Sequence, residues 1–281
     1  MKKILITGKN SYVGTSLKKW LDKYPDRFLI DSISIRNDSW KKRNFSEYDV
    51  VFHAAGIAHI KETNSNAYLY YKVNRDLAYE VAQKAKKEGV KHFIFLSSMS
   101  VYGRENGVIT KDSSLTPKSN YGKSKLEAEK LITPLGDDNF KIVIVRPPMI
   151  YGKGCKGNYN RLSKLANNIP LFPDIKNKRS MIYIDNMCEF VRKLIEGNCS
   201  GTYYPQNEEY VCTSELVNLI AKSQGKKVLL TKLFNPILKI LKTGTFNKVF
   251  GDLVYEKSMS GHLELKYTVV NFKDSVEATE G

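Results

Sequence analysis

Tyr121 and Lys125 stand four residues apart in Tyr121-Gly122-Lys123-Ser124-Lys125, one turn apart on the same face of a helix. A phenol ordinarily titrates near pH 10 and so moves protons poorly at neutrality. A cation beside it stabilises the phenolate and brings it toward the working range. The Lys125 ammonium can do this while donating to a cofactor ribose. Earlier in the chain, Phe93-Ile94-Phe95-Leu96-Ser97-Ser98-Met99-Ser100-Val101-Tyr102-Gly103 is an apolar run that ends in small hydroxyls. As a strand it presents Ser98 at the carboxyl edge of a sheet, where ligands of open α/β sheets bind. There Ser98 can hold the substrate oxygen that the tyrosine protonates.

A second constellation opens the chain. Thr7-Gly8-Lys9-Asn10-Ser11-Tyr12-Val13-Gly14 joins an apolar run to a helical pattern. A glycine turn there lets the backbone approach a pyrophosphate, and the helix N-terminus supplies amide donors and a positive dipole end. The spacing is that of a GxxGxxG loop with Ser11 in the middle position. Its side chain crowds the closest approach, while its hydroxyl can itself bond a phosphate oxygen. The end of the second strand decides which dinucleotide fits, an acid holding a ribose 2′-OH and a base favouring a 2′-phosphate. Ile30-Asp31-Ser32-Ile33-Ser34-Ile35 runs out at Arg36, which favours NADP(H); if Asp31 or Asp38 occupies the pocket instead, NAD(H) is favoured.

These residues need a scaffold, and the hydrophobic pattern describes one. Apolar runs cover Lys3 to Thr7, Phe28 to Ile35, Val50 to Ala54, Phe93 to Ser97 and Ile142 to Val145. Continuous rather than alternating hydrophobicity is what parallel strands buried on both faces require. Between them Val13 to Tyr24, Ala67 to Gly89 and Ser119 to Ile132 carry apolar residues at helical spacing, with Gly89 a C-cap. This βαβα order predicts an α/β fold, a doubly wound parallel sheet with right-handed crossovers. Beyond Arg146 the rhythm becomes irregular. Ser180 to Ile184 reads as a strand and Asn186 to Ile195 as a helix able to rejoin the sheet. Thr213 to Gln224 reads as a helix, Val228 to Leu230 as a strand and Pro236 to Leu241 as a basic helix. We expect 1–152 and 181–202 to form a dinucleotide-binding Rossmann domain and 153–180 and 203–281 a smaller substrate-binding portion.

Of the 281 residues 42% are hydrophobic and 26% charged, with a formal net charge of +16, which excludes disorder as the main state. The positive charge invites a nucleic-acid partner. The lysines do not cluster with aromatics, however, and pairs such as Lys18-Lys19 and Lys86-Lys87 fall on solvated helix faces. An acidic small molecule such as a sugar nucleotide draws on the same field. Cys155, Cys188, Cys199 and Cys212 form no CxxC pair, and no HExxH or histidine cluster indicates a metal. The apolar run after Met1 is too short for a signal peptide, and no stretch reaches the roughly 18 apolar residues of a spanning helix. The expectation is a cytoplasmic protein without membrane, metal or nucleic-acid partners. Leu233 to Lys242 is basic and amphipathic, and reads as a helix covering the substrate portion rather than an interfacial anchor.

Taken together, the Thr7–Gly14 loop, Asp49-Val50-Val51-Phe52-His53-Ala54-Ala55, Asn74, the Ser97–Gly103 segment, the Tyr121–Lys125 pentad, Arg146-Pro147-Pro148-Met149-Ile150-Tyr151-Gly152 and Arg179 to Asn186 resemble an extended short-chain dehydrogenase of the NAD-dependent epimerase/dehydratase family. The similarity covers nearly the whole chain. It implies Ser98, Tyr121 and Lys125 as catalytic residues. It further implies that Gly8, Ser11, Tyr12, Val13 and Gly14 line the pyrophosphate, with Arg36 at the ribose. His53, Ala54 and Ala55 would lie toward the adenosine and Pro148 toward the nicotinamide, with Asn74 a further cofactor-binding residue. Ser98, Met99, Ser100 and Arg179 would meet the substrate, the last through a bidentate fork to its diphosphate. By the same resemblance the chain would form a homodimer through its two long helices.

Family members that dehydrate a nucleotide hexose carry an acidic pair just before the Val101-Tyr102-Gly103 segment. Here Met99 and Ser100 stand there, and a thioether is no acid or base. Two reactions remain, reduction of a 4-keto sugar and epimerisation at C4. Arg146 to Asn160, Pro170 to Asp185 and Tyr203-Tyr204-Pro205-Gln206 are most similar to bacterial capsule and O-antigen reductases. The expected function is therefore NAD(P)H-dependent C4 reduction of a UDP-4-keto-6-deoxy-N-acetylhexosamine for surface polysaccharide synthesis. The alternative is a UDP-hexose 4-epimerase with tightly bound NAD.

Overall fold

A computed structural model describes residues 1–58, 60–233, 235, 247, 249–260 and 266–281. In chain order the first elements are β1 (Lys2–Thr7), α1 (Tyr12–Leu21), β2 (Phe28–Ile33), β3 (Val50–His53), α2 (Ala67–Tyr70), α3 (Leu77–Lys87), β4 (His92–Leu96), β5 (Gly107–Ile109), α4 (Asn120–Ile132) and β6 (Lys141–Val145). They are followed by β7 (Met149–Tyr151), α5 (Asn158–Asn168), β8 (Leu171–Pro173), β9 (Met181–Tyr183), α6 (Ile184–Glu196), β10 (Gly201–Tyr203), α7 (Thr213–Ser223), β11 (Leu229–Thr231) and β12 (Leu253–Tyr255). The chain divides into two compact units, one of residues 1–103, 115–147 and 187–205, the other of 104–114, 148–186 and 206–281. Segment 104–114 thus belongs with the second unit, whereas the sequence reading keeps it in the first.

The first unit is built on a six-stranded parallel sheet in the order β10-β6-β4-β3-β1-β2. Its strands are apolar on both faces because both faces are covered. Leu5, Val51, Phe93, Phe95, Ile142 and Ile144 pack with Ala78, Val81, Ala82 and Ala85 of α3 and Ala128 and Ile132 of α4. The alternate residues Ile4, Ile6, Phe52, Ile94 and Val143 are equally buried. Two further helices, α1 and α6, are joined by the Trp20 indole donating to Glu189 at 3.0 Å. Chain order reverses between β1 and β3, and at such a switch point open α/β sheets bind ligands beyond their carboxyl ends.

Three expectations are corrected here. The run at Ser180–Ile184 does not rejoin this sheet: β9 pairs in parallel with β7 as a two-stranded sheet of the second unit. The sixth place is taken by β10, whose register sets Thr202 against Ile144. A three-residue strand beginning at glycine is too short to leave a periodic signature, and Tyr203 earns its place by packing edge-on against Phe190 at 6.1 Å. The second strand stops at Ile33, because the Ile33 carbonyl receives the amides of both Gly8 and Lys9 at 3.0 Å and Ile35 turns into the core. The helix expected over Ala67–Gly89 is broken by a π-helical segment, Tyr71–Asp76.

In the second unit β7–β9, β5–β12 and β8–β11 are separate parallel pairs. The Tyr151 hydroxyl bonds Ser275 at 2.5 Å and accepts from Asn207 at 3.0 Å, while its ring stacks on Tyr159 at 5.1 Å. Apart from Leu233 and Asn235, the basic amphipathic stretch Leu233–Lys242, with the expected Pro236–Leu241 helix, lies outside the described residues. No helix among the described residues is long and apolar enough to cross a membrane.

Candidate active site

The glycine loop turns from β1 into α1 through backbone that only part of its sequence is free to vary. Gly8 has φ +92°, and a Cβ there would sit 2.8 Å from the Ala55 amide nitrogen. A Cβ on Gly14 would lie 2.6 Å from the Ser11 hydroxyl. Both glycines are therefore demanded by close approach. Ser11 is not such a position: its φ of −75° and ψ of 143° are extended, and it is the N-cap of α1. Its Oγ accepts the Gly14 amide at 3.0 Å. The side chain that the sequence reading treats as crowding is thus turned onto its own helix, and its O–H remains a donor. Tyr12 and Val13 contribute first-turn amides, which have no intrahelical acceptor; the Val13 side chain itself is buried in the core.

This loop forms one wall of a cleft of about 1110 Å³ over the ends of β1, β2 and β3, with Ser34, Arg36, Asp38 and Lys41 at one side and Ala55 to Ile57 at another. A turn of backbone stripped of Cβ atoms, a helix N-terminus and a cleft of this size fit a dinucleotide. Asp31 is not available to a ribose there. Its carboxylate takes the Arg43 guanidinium at 2.8 Å and the Tyr48 hydroxyl at 2.6 Å, and burial together with Asp31 pushes the Tyr48 phenol up to about 12. Asp38 does line the cleft but is paired with Lys41 at 3.1 Å. Of the alternatives left open by the sequence, Asp31 is removed.

His53 ends β3 inside the sheet rather than on the cleft wall. It is fully buried, its Nδ1 bonds the Thr7 hydroxyl at 2.9 Å, and its ring lies 5.8 Å from Phe95 and 6.1 Å from Phe93. Burial, with Lys125 adding to it, pushes its pKa down to about 3, so the ring is neutral. Ala54 and Ala55 follow it, and Ala55 reaches the cleft. The π-helical segment turns Asn74 inward. Its Oδ1 accepts the Ile57 amide at 2.8 Å, and its Nδ2 donates to the Ile57 carbonyl at 3.0 Å and the Ser124 hydroxyl at 3.2 Å. Asn74 thereby clamps the chain leaving β3 against α4.

Ser98, Tyr121 and Lys125 are brought together in the first unit. Ser98 caps a short turn, Met99–Tyr102, accepting the Ser100 amide at 3.1 Å and donating to the Ser100 hydroxyl at 3.1 Å. Burial pushes the Tyr121 phenol up, and hydrogen bonding with Ser98 pulls it down. The Lys125 ammonium donates to the Leu96 carbonyl at 2.7 Å and lies 4.5 Å from the Phe95 ring centre. Burial pushes it down to about 7, opposed by Glu129. A half-buried phenol beside a serine hydroxyl, with a buried lysine whose proton affinity is brought toward neutrality, can take or return a proton at an alcohol oxygen.

A model of the NAD-dependent epimerase/dehydratase family matches residues 4–205. The chain belongs to that family. It is 30% identical over 251 residues to a UDP-glucose 4-epimerase of Vibrio cholerae, covering 80% of this chain and 76% of that protein. It is 28% identical to an N-acetyl-alpha-D-glucosaminyl-diphospho-ditrans,octacis-undecaprenol 4-epimerase of Escherichia coli O157:H7, covering 80% and 73%. Among solved structures, the UDP-glucuronic acid 4-epimerase of Bacillus cereus in complex with NAD superposes with a TM-score of 0.78 at 22% identity over 99% of this chain and 97% of that one, a likeness of fold.

Other site residues of this family member fall elsewhere. Met99 and Ser100 are half-buried in the turn after Ser98, where the Met99 amide donates to the Pro147 carbonyl at 2.9 Å. Pro148 is buried and begins a segment of the second unit. Arg179, also in the second unit, bridges Val211 and Leu253 and donates to the Gly251 carbonyl at 2.8 Å. Burial pushes its pKa down while Asp252 opposes. Sequence reasoning missed Glu62, whose carboxylate accepts the first amides of α4, Asn120 at 3.0 Å and Tyr121 at 3.2 Å. It also missed Glu129, although its place four residues beyond Lys125 was a helical-face signal.

Proposed function

We propose that this protein is a nucleotide-sugar 4-epimerase, acting on a UDP-linked hexose or N-acetylhexosamine. The observation that carries the reading is the meeting of Ser98, Tyr121 and Lys125 at the carboxyl edge of the sheet. The relatives' names support C4 as the reacting carbon. In this reading the Tyr121 phenol oxygen takes the proton from the sugar's O4 and later returns it. Ser98 donates a hydrogen bond that orients O4, and the Lys125 ammonium stabilises the phenolate. Gly8, Ser11, Gly14 and the Tyr12 and Val13 amides would hold the dinucleotide, whose nicotinamide supplies hydride acceptance and return when bound. Met99 and Ser100 offer no acid–base pair, which disfavours dehydration.

Incubation of the purified protein with UDP-glucose or UDP-N-acetylglucosamine, without added cofactor, tests this. Proton NMR should then show the C4 epimer growing to equilibrium. A second reading, reduction of a UDP-4-keto-6-deoxy-N-acetylhexosamine, is favoured by one observation, the Arg36 guanidinium in the loop after β2. Arg36 lines the cleft while Asp31 is engaged elsewhere and Asp38 is paired with Lys41, which suits an exchangeable NADPH. A fall in NADPH absorbance in proportion to product, with no epimer formed from either UDP-hexose, would replace the epimerase by the reductase.

A further inference from the structure

Behind the reacting side chains lies a carboxylate that the proposed chemistry leaves unused. Glu129 follows Lys125 by one helical turn and Tyr121 by two on α4, and it is 5% exposed. From β6, Arg146 closes on it, Nε to Oε1 at 3.0 Å and Nη2 to Oε2 at 2.5 Å. From the end of β4, the hydroxyl of Ser97, next in chain to Ser98, donates to the same Oε1. The remaining Arg146 nitrogen, Nη1, donates to the Tyr102 hydroxyl at 3.0 Å. One buried carboxylate thus joins the helix of Tyr121 and Lys125, the strand end of Ser98 and the chain leaving β6.

We propose that Glu129 is a positioning residue: held by Arg146 and Ser97, it sets the Ser98 strand end against α4 and supplies the negative charge that keeps Lys125 protonated. This role rests on the reading of Ser98, Tyr121 and Lys125 as catalytic. The chemistry of the cavity asks for such a charge. Lys125 has a carbonyl and an aromatic face around its ammonium, a poor substitute for water. The titratable and charged groups on the elements packed around it are His53 on β3, His92 on β4, Lys141 on β6 with Arg146 just past its end, and Tyr102 on the turn after Ser98. To these the 71–76 segment adds Tyr71, Lys72, Arg75 and Asp76, and α4 itself adds Tyr121, Lys123, Glu127, Glu129 and Lys130. His53 is neutral, Arg75 is paired with Asp76 and Glu127, and Arg146 is turned onto Glu129, leaving Glu129 as the group whose charge raises the lysine's proton affinity. A buried ion pair can often be replaced by apolar residues without loss of stability, so stability alone gives little reason for this one.

The test follows the Lys125 proton directly. In the full chain labelled with ε-¹³C lysine, the Lys125 resonance is assigned by its disappearance in Lys125→Met and titrated against pH. Glu129→Gln keeps the shape and an acceptor for Ser97 but removes the charge, and should lower the Lys125 midpoint by about one unit or more. The alkaline limb of the pH–turnover profile should move down with it. The double variant Glu129→Gln/Arg146→Met removes both buried charges and guards against a misfolded single variant; because the guanidinium's repulsion is lost with the carboxylate's attraction, its midpoint should lie below wild type but above that of Glu129→Gln. An unmoved midpoint in both variants would overturn the positioning role and leave the functional reading standing. A lowered midpoint with the turnover limb unmoved would uphold Glu129 as the source of the lysine's charge and overturn the reading of Lys125 as catalytic. Absence of wild-type turnover on every sugar would overturn the functional reading, and the midpoint would still decide whether Glu129 holds the lysine's charge.

Discussion

The cleft over β1, β2 and β3 and the cluster at the end of β4 sit on the same sheet and are made differently. One wall of the cleft is shaped by backbone, the Gly8 turn, the first amides of α1 and the chain leaving β3, while exposed charged residues such as Arg36, Asp38 and Lys41 line another side. The cluster is side chains taken out of water, a phenol pushed up and an ammonium brought down to about 7. A backbone site tolerates changes of side chain wherever no Cβ is forced into it, which is how serine comes to stand at position 11. A site of buried ionisable groups tolerates almost none, because each group's protonation depends on its neighbours.

This contrast can be broken most severely at the cluster. Tyr121→Phe removes the proton-transferring oxygen and should lower turnover by about 10² to 10⁴, the usual worth of a general acid–base group. UDP binding, followed calorimetrically, should stay within about threefold, since in the proposed reaction the phenol oxygen acts on O4 and not on the diphosphate. Turnover within threefold of wild type would remove Tyr121 from its role.

Lys125→Met sharpens the contrast through stability. The folded pKa of Lys125 lies below its unfolded value, so the folded state resists the proton that the unfolded chain binds. The penalty is full below about pH 7 and fades as pH rises from 7 toward 10.5. Lys125→Met should therefore be the more stable protein at pH 6, by on the order of a few kcal/mol, with the gap closing in alkali. Urea unfolding at pH 6 and pH 9 checks this, and a gap that widens with pH would contradict it.

At the cleft the effects should be smaller. Arg36→Asp should shift the ratio of NADPH to NADH affinity toward NADH by about tenfold, the scale of one charge-assisted contact. Equal weakening of both would mean that Arg36 does not meet the ribose. Ser11→Gly should be the mildest change, since glycine at an N-cap costs only a few tenths of a kcal/mol relative to serine. Cofactor affinity should stay within about threefold; a loss beyond tenfold would show that the Ser11 hydroxyl itself holds the phosphate.

The parts that could be read from the sequence are those whose physics is local or periodic. Five apolar runs gave five strands of the large sheet, because burial on both faces leaves an unbroken hydrophobic signature. The spacing of Tyr121 and Lys125 gave their shared helix face. What stayed hidden depends on partners distant in sequence. Nothing local tells that Asp31 will be taken by Arg43 and Tyr48, or that Gly201–Tyr203 rather than Met181–Tyr183 will complete the sheet. The π-helical segment at Tyr71–Asp76 keeps a helical apolar pattern while turning Asn74 inward to hold Ile57. Arg146 reads as part of a motif, but its pairing with Glu129 is tertiary.

The central claim, hydride chemistry at C4 served by Ser98, Tyr121 and Lys125, is tested most directly with UDP-N-acetylglucosamine or UDP-glucose deuterated at C4. The label is followed by NMR and mass spectrometry through conversion without added cofactor. The account predicts that the C4 epimer forms and keeps its deuterium at C4, because the hydrogen leaves and returns within the site while only the O4 proton passes through Tyr121. Replacement of the label by solvent hydrogen, or no epimer from either sugar, would contradict it.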